Sequence, residues 1–280
     1  MKLKNIFKTL AVAAALATAA FAAGCGGSET ASKSAAPAAG AKTYVVATRG
    51  TAKPFSYTDD NDNLTGYDVE ILKEVEKRNP KLHFEFKSMA VDAAFVAMDA
   101  KQVDIIANQM RRNPTREKKY IYTKEVNDYS VRKLVVQKDR TDINSLDDLK
   151  GKKVAVTTSS EFNEFVQNFN KTANPKIDVT YTDKGSAETL NLVATGRVDA
   201  AGEYEYIINT AVKDRNLPVK ATGKTLLVVP TFFLLRKDPE LQQVADEIDA
   251  AVKSMRDDGT LKKLSEQYLG GDYTVEPKDN

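Results

Sequence analysis

From about residue 43 onward the chain alternates short β-branched runs with stretches of helical period. Tyr44 to Thr48 reads as a strand, and Tyr67 to Arg78 as a helix whose Val69, Leu72, Val75 and Glu76 divide apolar from polar faces. Leu82 to Phe86 alternates as a half-buried strand does. Val91 to Ala100 predicts the next helix and Val103 to Ala107 a buried strand bounded by polar residues. Further strands are expected at Val131 to Gln137, Val154 to Val156, Ile177 to Tyr181 and Val198 to Ala201. Helices are expected from the Thr157-Thr158-Ser159-Ser160 run to Phe169, over Ser186 to Thr195, and after Glu205 to about Lys213. Asn144 to Gly151 reads as a short capped helix closed by glycine. The apolar run Leu226 to Leu235 is interrupted by Pro230, so it predicts either two short strands or one bent edge strand. Pro239 to Arg256 carries Leu241, Val244, Ile248, Ala251, Val252 and Met255 on one side; Gly259 breaks it, and Leu261 to Tyr268 is the last helix. Such alternation argues an α/β fold with mainly parallel sheets.

Two strand-to-helix junctions stand out. Asn108 to Pro114 has the composition of a loop, and Pro114 fits a first helical position, which places Arg116 in the opening turn. A cation there gains nothing from the helix dipole, so an arginine is better explained if it faces an anion. Backbone N–H groups with a guanidinium fork suit a carboxylate. The alternative is a solvated arginine on a basic helix beside Lys118 and Lys119. At the second junction, one serine of Thr157-Thr158-Ser159-Ser160 is explained by helix capping, and the other three hydroxyls can face a zwitterion. His83, the only histidine, has no partner nearby in sequence and reads as structural or exposed rather than catalytic or metal-binding.

Residues 1–24 are a targeting segment, outside the fold: Lys2, Lys4 and Lys8 precede an uncharged alanine-rich stretch from Leu10 to Ala22. Ala22-Ala23-Gly24-Cys25 resembles a lipobox with alanine in place of the usual leucine, so Cys25 is expected to carry a lipid anchor to the membrane. As the only cysteine, Cys25 leaves the folded part without an internal disulfide. Residues 25–42, rich in Gly, Ser, Ala and Pro, are expected to be a flexible tether. Removing the three lysines of the leader takes the formal charge from +2 to −1, which gives no electrostatic case for nucleic acid. The remaining length suits two lobes.

Several motifs, in order, resemble the polar amino-acid family (family 3) of bacterial extracellular solute-binding proteins, the receptor components of ABC importers. They are Lys53-Pro54-Phe55, Gly66-Tyr67-Asp68-Val69-Glu70-Ile71, Asn113-Pro114-Thr115-Arg116, Asp258-Gly259-Thr260-Leu261 and Leu264-Ser265-Glu266-Gln267-Tyr268. The resemblance spans Thr43 to Gly271 and implies a two-lobed, periplasmic-binding-protein-like (type II) α/β fold with two hinge crossings. Residues 43–132 plus 229–280 would form lobe 1 and 133–228 lobe 2, closing on a ligand between them. Carried over, Arg116 falls on the arginine that holds an α-carboxylate. Asn108, Gln109 and Arg111 fall on the adjoining contact loop, Phe55 on the early Pro-Phe, and Ser160 with Glu161 on the second lobe's contact.

Three positions depart from the family pattern. Arg49 stands where an acid is common, Ala52 where an aromatic packs on the ligand, and Tyr204 where an aspartate takes the ligand ammonium. Glu203 could replace that charge if the strand has ended by Gly202, since otherwise neighbouring side chains point to opposite faces. Arg49 and Arg111 add positive charge, and the Ile-Ala-Asn-Gln-Met segment looks most like the cystine-type branch, whose ligand has two carboxylates; acidic amino acids meet the same charge argument. The implied partners are an amino-acid ligand, an ABC permease and the membrane, for a monomer without cofactor or metal. The rival is a cyclohexadienyl-dehydratase-like enzyme on the same fold, with Glu203 or Glu161 as acid or base.

Overall fold

The computed structural model describes residues 37–158 and 160–278; the leader, Cys25 and Ser159 lie outside them. In chain order the first elements are β1 (Lys42–Thr48), β2 (Thr51–Ala52), β3 (Ser56–Thr58), β4 (Leu64–Thr65), α1 (Tyr67–Arg78), β5 (Leu82–Ser88), α2 (Val91–Asp99), β6 (Ile105–Met110), α3 (Pro114–Lys119) and β7 (Tyr120–Tyr122). After them come β8 (Tyr129–Gln137), β9 (Lys153–Thr157), α4 (Glu161–Asn170), β10 (Asp178–Thr182), α5 (Ser186–Ala194), β11 (Ala200–Tyr204), α6 (Glu205–Arg215), β12 (Val219–Pro230), β13 (Phe232–Arg236), α7 (Pro239–Asp257) and α8 (Thr260–Leu269).

The strands form two five-stranded sheets, ordered β5-β1-β6-β13-β7 and β10-β9-β11-β8-β12, and a small β2-β3-β4 sheet. Strands β5, β1 and β6 are parallel, as are β10, β9 and β11; β13 and β7 in one sheet, and β8 and β12 in the other, complete the order with antiparallel pairing. Each sheet is covered on both faces, which explains the near-continuous apolar runs at their centres. Against the first sheet, α1, α7 and α8 bury a cluster that includes Phe84, Ile105, Phe233 and Ile248, while α2 packs Met98 with Ile106 and Leu234. The second sheet carries Val154, Val156, Phe162 and Val166 on one side and Ala155, Leu190 and Ile208 on the other. Each such fully buried aliphatic or aromatic side chain contributes about 1.5–3 kcal/mol.

Local chemistry sets the element ends. The Asn113 side chain accepts from the N–H groups of Thr115 and Arg116, with Pro114 at the first helical position as expected. Asp238 caps α7 ahead of Pro239, and left-handed Gly259 (φ 79°) separates α7 from α8. Pro230 ends β12, so the interrupted apolar run is two strands, and the first is long, with a bulge between Thr222 and Leu227. The Asn144 to Gly151 segment contributes only a 3-10 turn at Asp147–Leu149.

Two chain crossings link the sheets. Thr231 N–H donates to the Asp128 carbonyl and Asn127 N–H to the Thr231 carbonyl, both at 2.9 Å. Beyond α8 the chain returns to this point: Tyr129 N–H donates to the Tyr273 carbonyl at 2.7 Å, and the Tyr273 hydroxyl accepts from Asn209 of α6 at 3.0 Å. His83 is buried and its Nδ1 lies 2.9 Å from Glu76, a structural pairing.

Candidate functional site

Ligands of open α/β sheets bind beyond the carboxyl ends of their strands. In the first sheet those ends present Thr48 of β1 and Asn108 and Gln109 of β6, strands brought together by the Val46–Ile105 and Ala47–Ile106 pairings. Strand β6 runs through Met110, so Asn108 to Met110 is not the expected loop; pairing of Met110 with Phe232 of β13 carries the strand onward. Among the described residues, Thr48 Oγ1, Asn108 Nδ2 and Gln109 Oε1 are buried without a hydrogen-bond partner. Buried polar atoms are rarely left so, and three of those that are lie at these strand ends.

Gln109 has a left-handed backbone, φ 52°, a conformation costing about 1–2 kcal/mol for a non-glycine residue. Asp68 offsets that cost: its carboxylate accepts from Gln109 N–H at 3.1 Å and from Gln109 Nε2 at 2.7 Å. This is the physical reason for an aspartate in the Gly-Tyr-Asp motif. The glycine has its own: at Gly66, φ 117°, a Cβ would meet the Phe55 carbonyl group at 2.5 Å. Asp68 is wholly buried, and burial followed by the charge of Asp128 pushes its pKa up to about 7, against the hydrogen bonds from Gln109. Burial likewise raises Asp128, to about 6, against hydrogen bonds from Thr231, Gln109 and Ser130 and the charge of Arg111.

The second sheet presents the carboxyl ends of β9 and β11 and the starts of α4 and α5. They enclose a cavity of about 300 Å³ lined by Arg132, Thr157, Ser160, Ser186, Glu203 and Tyr204, among others. Ser160 caps α4, its Oγ accepting from Asn163 N–H at 3.1 Å. Gly202 lets the strand pass Phe162 closely. Strand β11 continues through Tyr204, so the expected end at Gly202 is not found. Glu203 nevertheless lines the cavity together with Tyr204; it is 6% exposed, and its Oε1 accepts from Tyr204 N–H at 2.8 Å. A larger groove of about 810 Å³ runs along the flank past Tyr57, Asp214 and Tyr268, away from these strand ends.

Arg111 joins the two halves. It donates to Glu161 and to the Tyr204 hydroxyl; Tyr204 in turn donates to Glu161 Oε2 at 2.8 Å. Arg132 completes the group, donating to Glu161 Oε2 at 3.3 Å and to the Gly202 carbonyl at 3.2 Å, with its guanidinium 4.1 Å from the Tyr204 ring centre. Burial raises the Glu161 carboxyl, but the Tyr204 hydroxyl and the charges of Arg111 and Arg132 outweigh it and hold the group below its ordinary range. Phe55 adds an apolar contact, its ring edge-on to Tyr206 at 4.7 Å, while Lys53 pairs with Asp214 at 2.8 Å.

Arg116 and Ser160 belong to opposite halves, at the starts of α3 and α4. The Arg116 guanidinium lies over Phe95 at 5.0 Å, on the first half, and Ser160 serves as a cap; Arg111, five residues earlier, makes the crossing. Arg49 is exposed. Neither Arg49 nor Arg116 has a carboxylate within ion-pair distance among the described residues. Arg132 went unrecognised in the sequence, although a cation inside the apolar strand Val131 to Gln137 was a legible signal, because burying it demands a partner.

Two α/β lobes joined by paired crossings, with polar strand ends meeting between them, define a receptor that takes a small polar molecule. The chain belongs to the bacterial extracellular solute-binding proteins, family 3, whose model matches residues 44–271. It is similar to the L-cystine-binding protein TcyJ of Bacillus subtilis (34% identical; 84% of this chain, 86% of that one) and to TcyK of the same organism, also an L-cystine-binding protein (33% identical, 99% of each). Among solved structures it resembles the probable amino-acid ABC transporter extracellular-binding protein ytmK of Bacillus subtilis, with a TM-score of 0.75 and 32% identity over 83% of this chain and all of the other.

Proposed function

We propose that this receptor captures a polar amino acid carrying extra negative charge, L-cystine first and acidic amino acids next, and passes it to an ABC importer permease. The observation that carries the reading is a pair of guanidiniums without a carboxylate partner, Arg49 and Arg116, on the lobe whose strand ends also hold the unsatisfied Thr48 Oγ1 and Asn108 Nδ2. A ligand carboxylate on Arg116, with the Asn108 to Arg111 segment around it, meets both needs. Glu203, buried at the cavity, supplies the charge for the ammonium in place of the family's aspartate. TcyJ and TcyK are L-cystine-binding proteins, which favours a ligand with two carboxylates.

In this proposal lobe 1 is 43–132 with 229–280 and lobe 2 is 133–228, the lobes turn about the Asp128–Thr231 crossing, and Cys25 anchors the monomer by lipid to the outer face of the membrane. We read the cleft as a binding rather than a catalytic site: Glu161 has both oxygens engaged by Arg111, Tyr204 and Arg132, and Glu203 Oε1 accepts from Tyr204 N–H. Thermal-shift screening of the twenty amino acids and cystine tests the reading. A ligand at about a hundred times its Kd adds about 2.7 kcal/mol, a rise of roughly 5–10 °C in Tm for a chain of this size. No shift with any of them overturns the proposal.

A further inference from the structure

The Glu161 carboxylate is held as a bound anion would be. Oε1 accepts from Arg111, which belongs to the first sheet's β6–α3 corner; Oε2 accepts from Tyr204 and Arg132 of the second sheet. Among the described residues, Glu161 is the one carboxylate ion-paired with either arginine. Remove it and two guanidiniums face one tyrosine ring, their centres 5.4 and 4.1 Å from its centroid, with no counter-charge between them. We propose that Glu161 is an internal pseudo-ligand: its carboxylate latches the lobes together, and an anionic ligand gains Arg111 by displacing it.

A bland role explains less. An acid in a helix's first turn is favoured by the dipole alone, without leaving its own helix. Glu161 instead reaches Arg111, 50 residues away in sequence, while Ser160 already provides the cap. Displacement has a chemical consequence. A second ligand carboxylate replaces Glu161 between the arginines with no change in charge, whereas a neutral side chain leaves both cations uncompensated. The latch therefore selects against ligands with a single carboxylate. Because Arg111 and Glu161 are 39% and 36% exposed, salt weakens it.

Glu161→Gln keeps the shape and removes the charge, and Glu164→Gln, exposed on the same helix, controls for net charge. X-ray scattering on the ligand-free full-length chain is expected to show a larger radius of gyration for Glu161→Gln than for wild type or Glu164→Gln at low salt. Wild type is expected to converge on the variant as salt is raised. In calorimetry, Glu161→Gln is expected to bind L-cystine or L-glutamate roughly twofold to fivefold more tightly, the worth of an ion pair of this exposure. Arg111→Gln, which breaks the latch from the other lobe, is expected to open the chain equally. An unchanged radius in both variants overturns the latch. So does weaker binding by Glu161→Gln, which would make Glu161 a direct ligand contact. The scattering needs no ligand, so it decides the latch even if the amino-acid reading of the cleft fails.

Discussion

Gly202→Ala adds one methyl group where the structure has no room for it. The new Cβ would lie within 2.6 Å of three ring carbons of Phe162, closer than real Cβ contacts reach. Phe162 is 1% exposed, packed with Val154, Val156 and Val166, and sits in the first turn of α4. Relief therefore requires α4 to move away from the sheet. Overpacking of this kind costs about 1–3 kcal/mol, and a clash with a rigid ring belongs at the upper end. Urea unfolding is expected to show a lower midpoint at unchanged slope, and the Tm is expected to fall by roughly 4–10 °C. Because Ser160, the cap of α4, lines the cavity of the second sheet, ligand affinity is expected to fall with it. Phe162→Leu, costly alone, is expected to recover part of the loss in the Gly202→Ala background, with a coupling of about 0.5–3 kcal/mol. Full stability of Gly202→Ala, or strict additivity of the pair, refutes the close-approach account.

Arg116→Lys retains charge and loses the planar fork, so ligand binding is expected to weaken by about tenfold or more with little change in Tm; unchanged affinity in calorimetry assigns the ligand carboxylate elsewhere. Asp68 and Asp128 ionise less readily folded than unfolded, at about 7 and about 6 against 3.8. Their stabilising contribution is thus complete below the unfolded value and is lost as pH rises through the folded ones. Urea unfolding free energy is expected to decline between about pH 4 and pH 7, by an amount on the order of a few kcal/mol. Asp128→Asn, which removes the charged neighbour of Asp68, is expected to flatten that decline.

Where packing dictated the pattern, the sequence was readable. The helix Tyr67–Arg78 agrees end to end because its apolar positions follow one face and Gly66 marks its start. Strand ends at the site were misread for a common physical reason. Gln109 is polar because it bonds Asp68, and Gly202 is small because Phe162 lies against it; such residues at the end of an apolar run imitate a loop. Which arginine crosses to the other lobe was not in the local pattern either. Arg111 and Arg116 flank the same corner, and the choice depends on where Tyr204 and Glu161 lie in the folded chain. Arg132 was hidden for the same reason, since its partner Tyr204 stands opposite it only through the β8–β11 register.

The segment after α8 has a mechanical consequence. Tyr273 grips the first crossing through its carbonyl and α6 through its hydroxyl, and its own N–H is fixed by Ser265 at 2.9 Å. It thus splints the joint from behind, so replacing this one tyrosine by phenylalanine would free α6 from the brace while leaving the main-chain tie to the crossing in place.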